Sequence, residues 1–236
     1  MSGRILPYAV SLLLVQLTAA CWQQPAVEQQ PARKEAATSN AVSAPPVEVA
    51  DERLIVAFGD SLYAGYGVPQ GSGFAPVLEQ ALEGQGISAH VINAGVSGDT
   101  TAGGRQRLDF VLDGLTRKPD LVILGLGAND MLRGLDVGEA QANLDAMLAE
   151  LRDRQIDVVL TGMLATENMG RDYASKFNMI YPTLAKKYEV PLYPFFLDGI
   201  VAHTNFMLSD GLHPSREGIK EIVRRILPVI ETAAKE

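Results

Sequence analysis

From residue 52 onward the chain alternates short apolar runs with longer amphipathic stretches. Leu54-Ile55-Val56-Ala57-Phe58 is a continuous apolar run stopped by Gly59, the pattern of a strand buried on both faces. Similar runs at 89–93, 121–124, 157–161 and 191–194 predict four more strands. Helices are predicted between them at 74–85, 104–114, 139–155, 172–187 and 217–234. In the third of these, Leu144, Met147, Leu148 and Leu151 recur at helical spacing with charged residues on the other side. Such alternation implies an α/β domain with a mainly parallel sheet, covered on both faces through right-handed crossovers. Ligands of such sheets bind beyond the carboxyl ends of the strands, so candidate chemistry is sought in the loops that follow them.

The first 51 residues read differently. Arg4 precedes a mostly apolar stretch centred on Leu12-Leu13-Leu14-Val15, interrupted by Pro7 and Gln16 and ending in small residues. This is the form of an export signal over residues 1–20 rather than a membrane span. Thr18-Ala19-Ala20-Cys21 resembles a bacterial lipobox, although Leu17 stands one place earlier than that pattern prefers. The expectation is a lipidated Cys21 and a membrane-anchored lipoprotein; a secreted periplasmic protein with a free cysteine is the other reading. Residues 21–51 are rich in Gln, Ala, Pro and Ser, which cannot bury enough surface to offset ordering and so suit a tether. The folded domain is expected over 52–236.

Composition narrows the function. A chain of 236 residues, 47% hydrophobic, suits one or at most two globular domains. Its net charge of −8 and the absence of a basic stripe argue against nucleic acid as partner. One cysteine and three histidines, His90, His203 and His213, allow no metal site built on cysteines and argue against a histidine-rich one; no metal or cofactor is expected.

Four loops carry candidate chemistry. Gly59-Asp60-Ser61-Leu62 follows the first strand and offers a nucleophile where open α/β sheets hold ligands, although Gly-Asp-Ser is also a common turn sequence. Asn93-Ala94-Gly95-Val96-Ser97-Gly98-Asp99-Thr100 follows the second; its glycines permit close approach of a ligand to backbone, and Thr100 is a helix cap in either reading. It lacks the spacing of a phosphate-binding loop. Gly127-Ala128-Asn129-Asp130 follows the third strand, where the Asn129 amide either donates to a developing oxyanion or shapes the turn. Asp210-Gly211-Leu212-His213 precedes the last helix. A separation of three lets the carboxylate reach the imidazole Nδ1, leaving Nε2 to take a proton from a serine. The other two histidines have weaker cases: His90 stands at a strand start, and His203 in a loop without an evident orienting carboxylate.

Together and in this order, the four blocks resemble those of the SGNH (GDSL) hydrolases. Val96-Ser97-Gly98-Asp99-Thr100, Ile180-Tyr181-Pro182 and Val190-Pro191-Leu192-Tyr193-Pro194-Phe195-Phe196 resemble the bacterial arylesterases and multifunctional acyl-thioesterase/lysophospholipases. The resemblance implies a three-layer α/β/α sandwich with a flavodoxin-like five-stranded parallel sheet. It implies catalytic Ser61, His213 and Asp210, and an oxyanion hole from the N–H of Ser61, the N–H of Gly98 and the side chain of Asn129. Asp60 and Asp130 take structural roles. The chain lacks the second glycine of the Gly-x-Ser-x-Gly elbow, which sets it apart from ordinary α/β-hydrolases.

The expected reaction is hydrolysis of small acyl esters or lysophospholipids, and of thioesters, at an open cleft. Met163-Leu164-Ala165, Tyr173 and Phe195-Phe196 are candidates for an acyl groove, with core packing the preferred reading for the two phenylalanines. A carbohydrate O-acetylesterase acting on envelope glycans is the alternative.

Overall fold

The computed structural model describes residues 52–235; the leader, Cys21 and the linker lie outside the described residues. Five strands form one parallel sheet: β1 (Arg53–Gly59), β2 (Ala89–Gly95), β3 (Leu121–Gly125), β4 (Asp157–Thr161) and β5 (Leu192–Tyr193), in the order β2-β1-β3-β4-β5. This is the flavodoxin-like order, whose switch point lies between β1 and β3. Those two strands are apolar and almost entirely buried, as central strands covered on both faces must be. At the edges, β2 is half-exposed and β5 is cut to two residues, a length that limits edge-to-edge pairing.

The helices form the outer layers. On one side α2 (Phe74–Gly84) packs against α8 (Arg216–Lys235); on the other, α3 (Thr101–Asp113) packs on α5 (Val137–Asp153), and α5 on α7 (Ile180–Tyr188). In α8, Ile219, Ile222, Val223, Ile226 and Ile230 are buried at helical spacing, the single apolar stripe of a surface helix.

The predicted helix at 172–187 is two helices, α6 (Arg171–Asn178) and α7. The cause is Pro182, which has no N–H to offer the Asn178 carbonyl and whose ring crowds it; α6 ends at that residue and the chain restarts. Two short helices carry no readable period and escape the pattern: α1 (Ser61–Ala64) and α4 (Ala128–Leu132). Both lie at strand ends, and both hold site residues.

What lets α1 lie there is a row of glycines. Gly59 is in register with Gly95 on one side and Gly125 on the other. A Cβ on Gly95 would overlap the Ala64 backbone, and one on Gly59 or Gly125 the Tyr63 ring. The bare row lets α1 press onto the sheet edge. There the buried Tyr63 hydroxyl pairs with Thr161 Oγ1 at 2.6 Å, and its ring stacks on Phe196.

Candidate active site

Ser61 is the first residue of α1, and Asp60 is its cap: the Asp60 carboxylate accepts the Leu62 N–H at 3.0 Å. This carboxylate is 2% exposed. Burial pushes it up to about 6, against the Leu62 N–H, the nearby His213 and the Asn129 amide, which all favour its charge.

His213 reaches Ser61 from the opposite end of the chain. Its loop is folded back on itself by an antiparallel bridge between Met207 and Pro214, with Leu208 N–H bonded to His213 O at 2.8 Å. Gly211 turns the tip at φ 68°, in the left-handed region that glycine enters freely. Within the tip, Asp210 Oδ1 accepts the N–H of Leu212 at 2.9 Å and of His213 at 3.0 Å. Asp210 Oδ2 lies 2.7 Å from His213 Nδ1, and His213 Nε2 lies 2.9 Å from Ser61 Oγ. The hydrogen bond from His213, aided by the two backbone N–H groups, holds Asp210 down at about 2. The imidazole also lies against the Tyr66 ring, centroids 4.4 Å apart.

Asn129 is on α4, which begins after Gly127 at φ 117°, where the Tyr181 hydroxyl bonds the Leu126 carbonyl at 2.9 Å. Its Nδ2 donates to the Asp99 carbonyl at 2.9 Å and to Asp60 Oδ2 at 3.3 Å. Asp130 faces inward and accepts both the N–H and the hydroxyl of Thr101, at 2.8 and 2.6 Å; it ties α4 to the start of α3. Gly98 has φ 84°. Among the described residues, the N–H groups of Ser61 and Gly98 meet no protein acceptor.

A cavity of about 250 Å³ opens beside Ser61, Asn129 and His213, walled by Leu132, Met163, Leu164, Phe195, Val201 and Leu212. The two phenylalanines divide: Phe195 lines the cavity, whereas Phe196 is buried between Tyr63 and Phe74. Tyr173 is elsewhere, with its hydroxyl on the Leu135 carbonyl. His90 pairs with Glu79 on the surface, and His203 packs edge-on to Phe206; neither reaches the cavity. Among the described residues no three His, Cys, Asp or Glu side chains are grouped as a metal site.

One residue at this edge has no signal in the sequence. Arg107, on α3, donates to Asp99, to the Ala94 carbonyl and to the Gly59 carbonyl. The farthest of its partners, Gly59, lies 48 residues away in the chain, so no local spacing marks it.

The arrangement is recognisable. Residues 57–220 match the model of the GDSL-like Lipase/Acylhydrolase family. An arylesterase of Vibrio mimicus is 42% identical over 71% of this chain and 82% of its own length. Thioesterase 1/protease 1/lysophospholipase L1 of Escherichia coli (strain K12) is 34% identical over 71% of this chain and 77% of its own length. Among solved structures, AlinE4, an SGNH-hydrolase family esterase, is 47% identical with a TM-score of 0.67, covering 78% of this chain and 97% of its own. With the match spanning most of the folded residues, this chain belongs to the GDSL-like lipase/acylhydrolase family, as an SGNH-type esterase.

Proposed function

We propose that Ser61, His213 and Asp210 are the catalytic triad of this esterase, and that the N–H groups of Ser61 and Gly98 with Asn129 Nδ2 form its oxyanion hole. The observation that carries the reading is the unbroken line from Asp210 Oδ2 through both imidazole nitrogens to Ser61 Oγ, at 2.7 and 2.9 Å. Those are normal hydrogen-bond lengths, and the line ends at the mouth of an apolar cavity. A serine hydroxyl needs an adjacent base to attack at neutral pH.

Ser61 Oγ bonds to the acyl carbon as its proton passes to His213 Nε2, and the carbonyl electron pair moves onto oxygen. Asp210, kept ionised, accepts the Nδ1–H and balances the imidazolium. The oxyanion takes up the two unpartnered backbone N–H groups and the Asn129 amide, whose longer bond to Asp60 at 3.3 Å is the one to yield. Nε2 then gives its proton to the departing alkoxide or thiolate, leaving the acyl group on Ser61. Water repeats the sequence in reverse and releases the carboxylic acid.

The substrate is an acyl ester of short to medium chain. The cavity's 250 Å³ is below the usual range for enclosed ligand sites, and its walls are Leu, Met, Phe and Val. At the rim, Leu132, Leu164, Val201 and Leu212 are 42–53% exposed, which suits a substrate brought by an amphiphile surface. Lysophospholipids and acyl thioesters are the next candidates, in keeping with the name of the Escherichia coli relative. Nothing at the site favours acetylated glycans. The leader and Cys21 support export and a lipid tether that holds the domain near such substrates; loss of acyl labelling in Cys21→Ser tests that part.

The decisive experiment compares wild type with Ser61→Ala on chromogenic esters and with a fluorophosphonate label. Both hydrolysis and labelling should vanish in the variant while its melting temperature holds. Wild-type turnover by Ser61→Ala would end the proposal.

A further inference from the structure

The three proposed oxyanion donors come from three different loops, after β1, β2 and β3, and something must hold those loops in mutual register. We propose that Arg107 is the positioning residue that does so; the inference rests on the oxyanion-hole reading above. Its guanidinium fork makes three bonds in three directions. Nη2 donates to the Gly59 carbonyl at 2.9 Å, two residues before Ser61. Nη1 donates to the Ala94 carbonyl at 2.8 Å, at the end of β2. Nε donates to Asp99 Oδ2 at 2.6 Å, next to Gly98. The Asp99 backbone carbonyl in turn receives Asn129 Nδ2 at 2.9 Å. One side chain is thus linked to the segment of every donor: directly for Ser61 and Gly98, and through Asp99 for Asn129.

The setting makes these bonds stiff. Arg107 and Asp99 side chains are 18% and 15% exposed, so water competes little for them. The guanidinium carbon sits over the Phe58 ring, 3.9 Å from its centroid, a cation–π contact that adds to the hold on the fork. Gly103 leaves room for the Asp99 carboxylate, which a Cβ there would strike. An arginine–aspartate pair serving only α3 would need one of these bonds; the other two go to backbone at the sheet edge, immediately ahead of the site. A lysine cannot replace the fork, because a single ammonium has neither its plane nor its spread of donors.

Displacing prepaid geometry by about 1 Å can cost roughly 100-fold in rate, and losing one oxyanion donor costs about as much. Arg107→Lys is therefore expected to lower kcat for a short-chain aryl ester roughly 100-fold with KM within about twofold of wild type, the sign of an interaction made in the transition state. In Arg107→Ala, added guanidinium ion should restore part of kcat, which general loosening of the fold would not allow. Should neither variant fold, Asp99→Asn decides, with kcat falling roughly tenfold at constant KM.

Folded Arg107 variants with kcat near wild type overturn the inference, as does a loss confined to KM or, in the last case, an unchanged Asp99→Asn. Ser61→Ala run alongside separates the two claims. If that variant is active, the site reading fails; if it is dead while the Arg107 variants are wild-type, only the role of Arg107 fails.

Discussion

Asp60→Asn should make this protein more stable and a worse enzyme, with a sign that depends on pH. Asp60 is buried, and burial raises its carboxyl from 3.8 to about 6. At about 1.4 kcal/mol for each pH unit, keeping it ionised in the fold costs about 3 kcal/mol. Because the folded value lies above the unfolded one, the folded state binds the extra proton between them. Stability from this group is therefore fully present below pH 3.8 and is lost as pH rises through about 6. Asparagine carries no charge and abolishes the slope. Its oxygen still accepts the Leu62 N–H, but its amide now faces the amide of Asn129, where a 3.3 Å bond had been; that loss costs about 1 kcal/mol.

The balance at pH 8 is a gain of about 2 kcal/mol, which for a domain of this size is roughly 4–8 °C in Tm. At pH 4 most of the charge penalty has gone from wild type as well, about 0.5 kcal/mol of it remaining, so the variant should melt roughly 1–2 °C lower. Scanning calorimetry of both proteins in matched buffers at pH 4, 6 and 8 reads the crossover. Equal shifts at pH 4 and pH 8, or a loss at pH 8, would refute the reasoning. Activity should move the other way, with kcat down roughly tenfold, because the facing amide of the substituted side chain pushes Asn129 Nδ2 off the position from which it would reach the oxyanion.

Asn129→Ala removes one of the proposed oxyanion donors and should lower kcat by about 100- to 1,000-fold with KM little changed, measured by steady-state ester hydrolysis; a larger effect on KM than on kcat would argue for a binding role instead. Aryl esters of increasing acyl length should gain roughly fourfold in kcat/KM for each methylene the cavity buries, at about 0.8 kcal/mol apiece, then level off once its 250 Å³ are filled. Leu164→Trp, at the rim, should bring that plateau to shorter chains, and an unchanged length profile would remove Leu164 from the acyl path.

The strands and long helices were legible because burial leaves a period in the chain: apolar runs for β1 and β3, which are covered on both faces, and a stripe for α5 and α8. The residue types of the site were legible as well, since Asp210 and His213 are close in sequence and need only one tight turn to meet. What carries no period was not legible. The helices α1 and α4 are too short to show one, and the apolar pattern runs on across Pro182, so it predicts one helix where the proline makes two.

The sequence by itself determined which chemical groups stand at the strand ends and that those ends share one edge, because hydrophobic periodicity and chain alternation are local properties. Only the tertiary structure decided that Ser61 Oγ and His213 Nε2 meet across 152 residues, that Asp60 is buried beside Asn129, and that Arg107 ties the loops after β1 and β2 together. Contacts of that kind depend on the parallel register that aligns Gly59, Gly95 and Gly125, and register is a property of paired strands that no single segment contains.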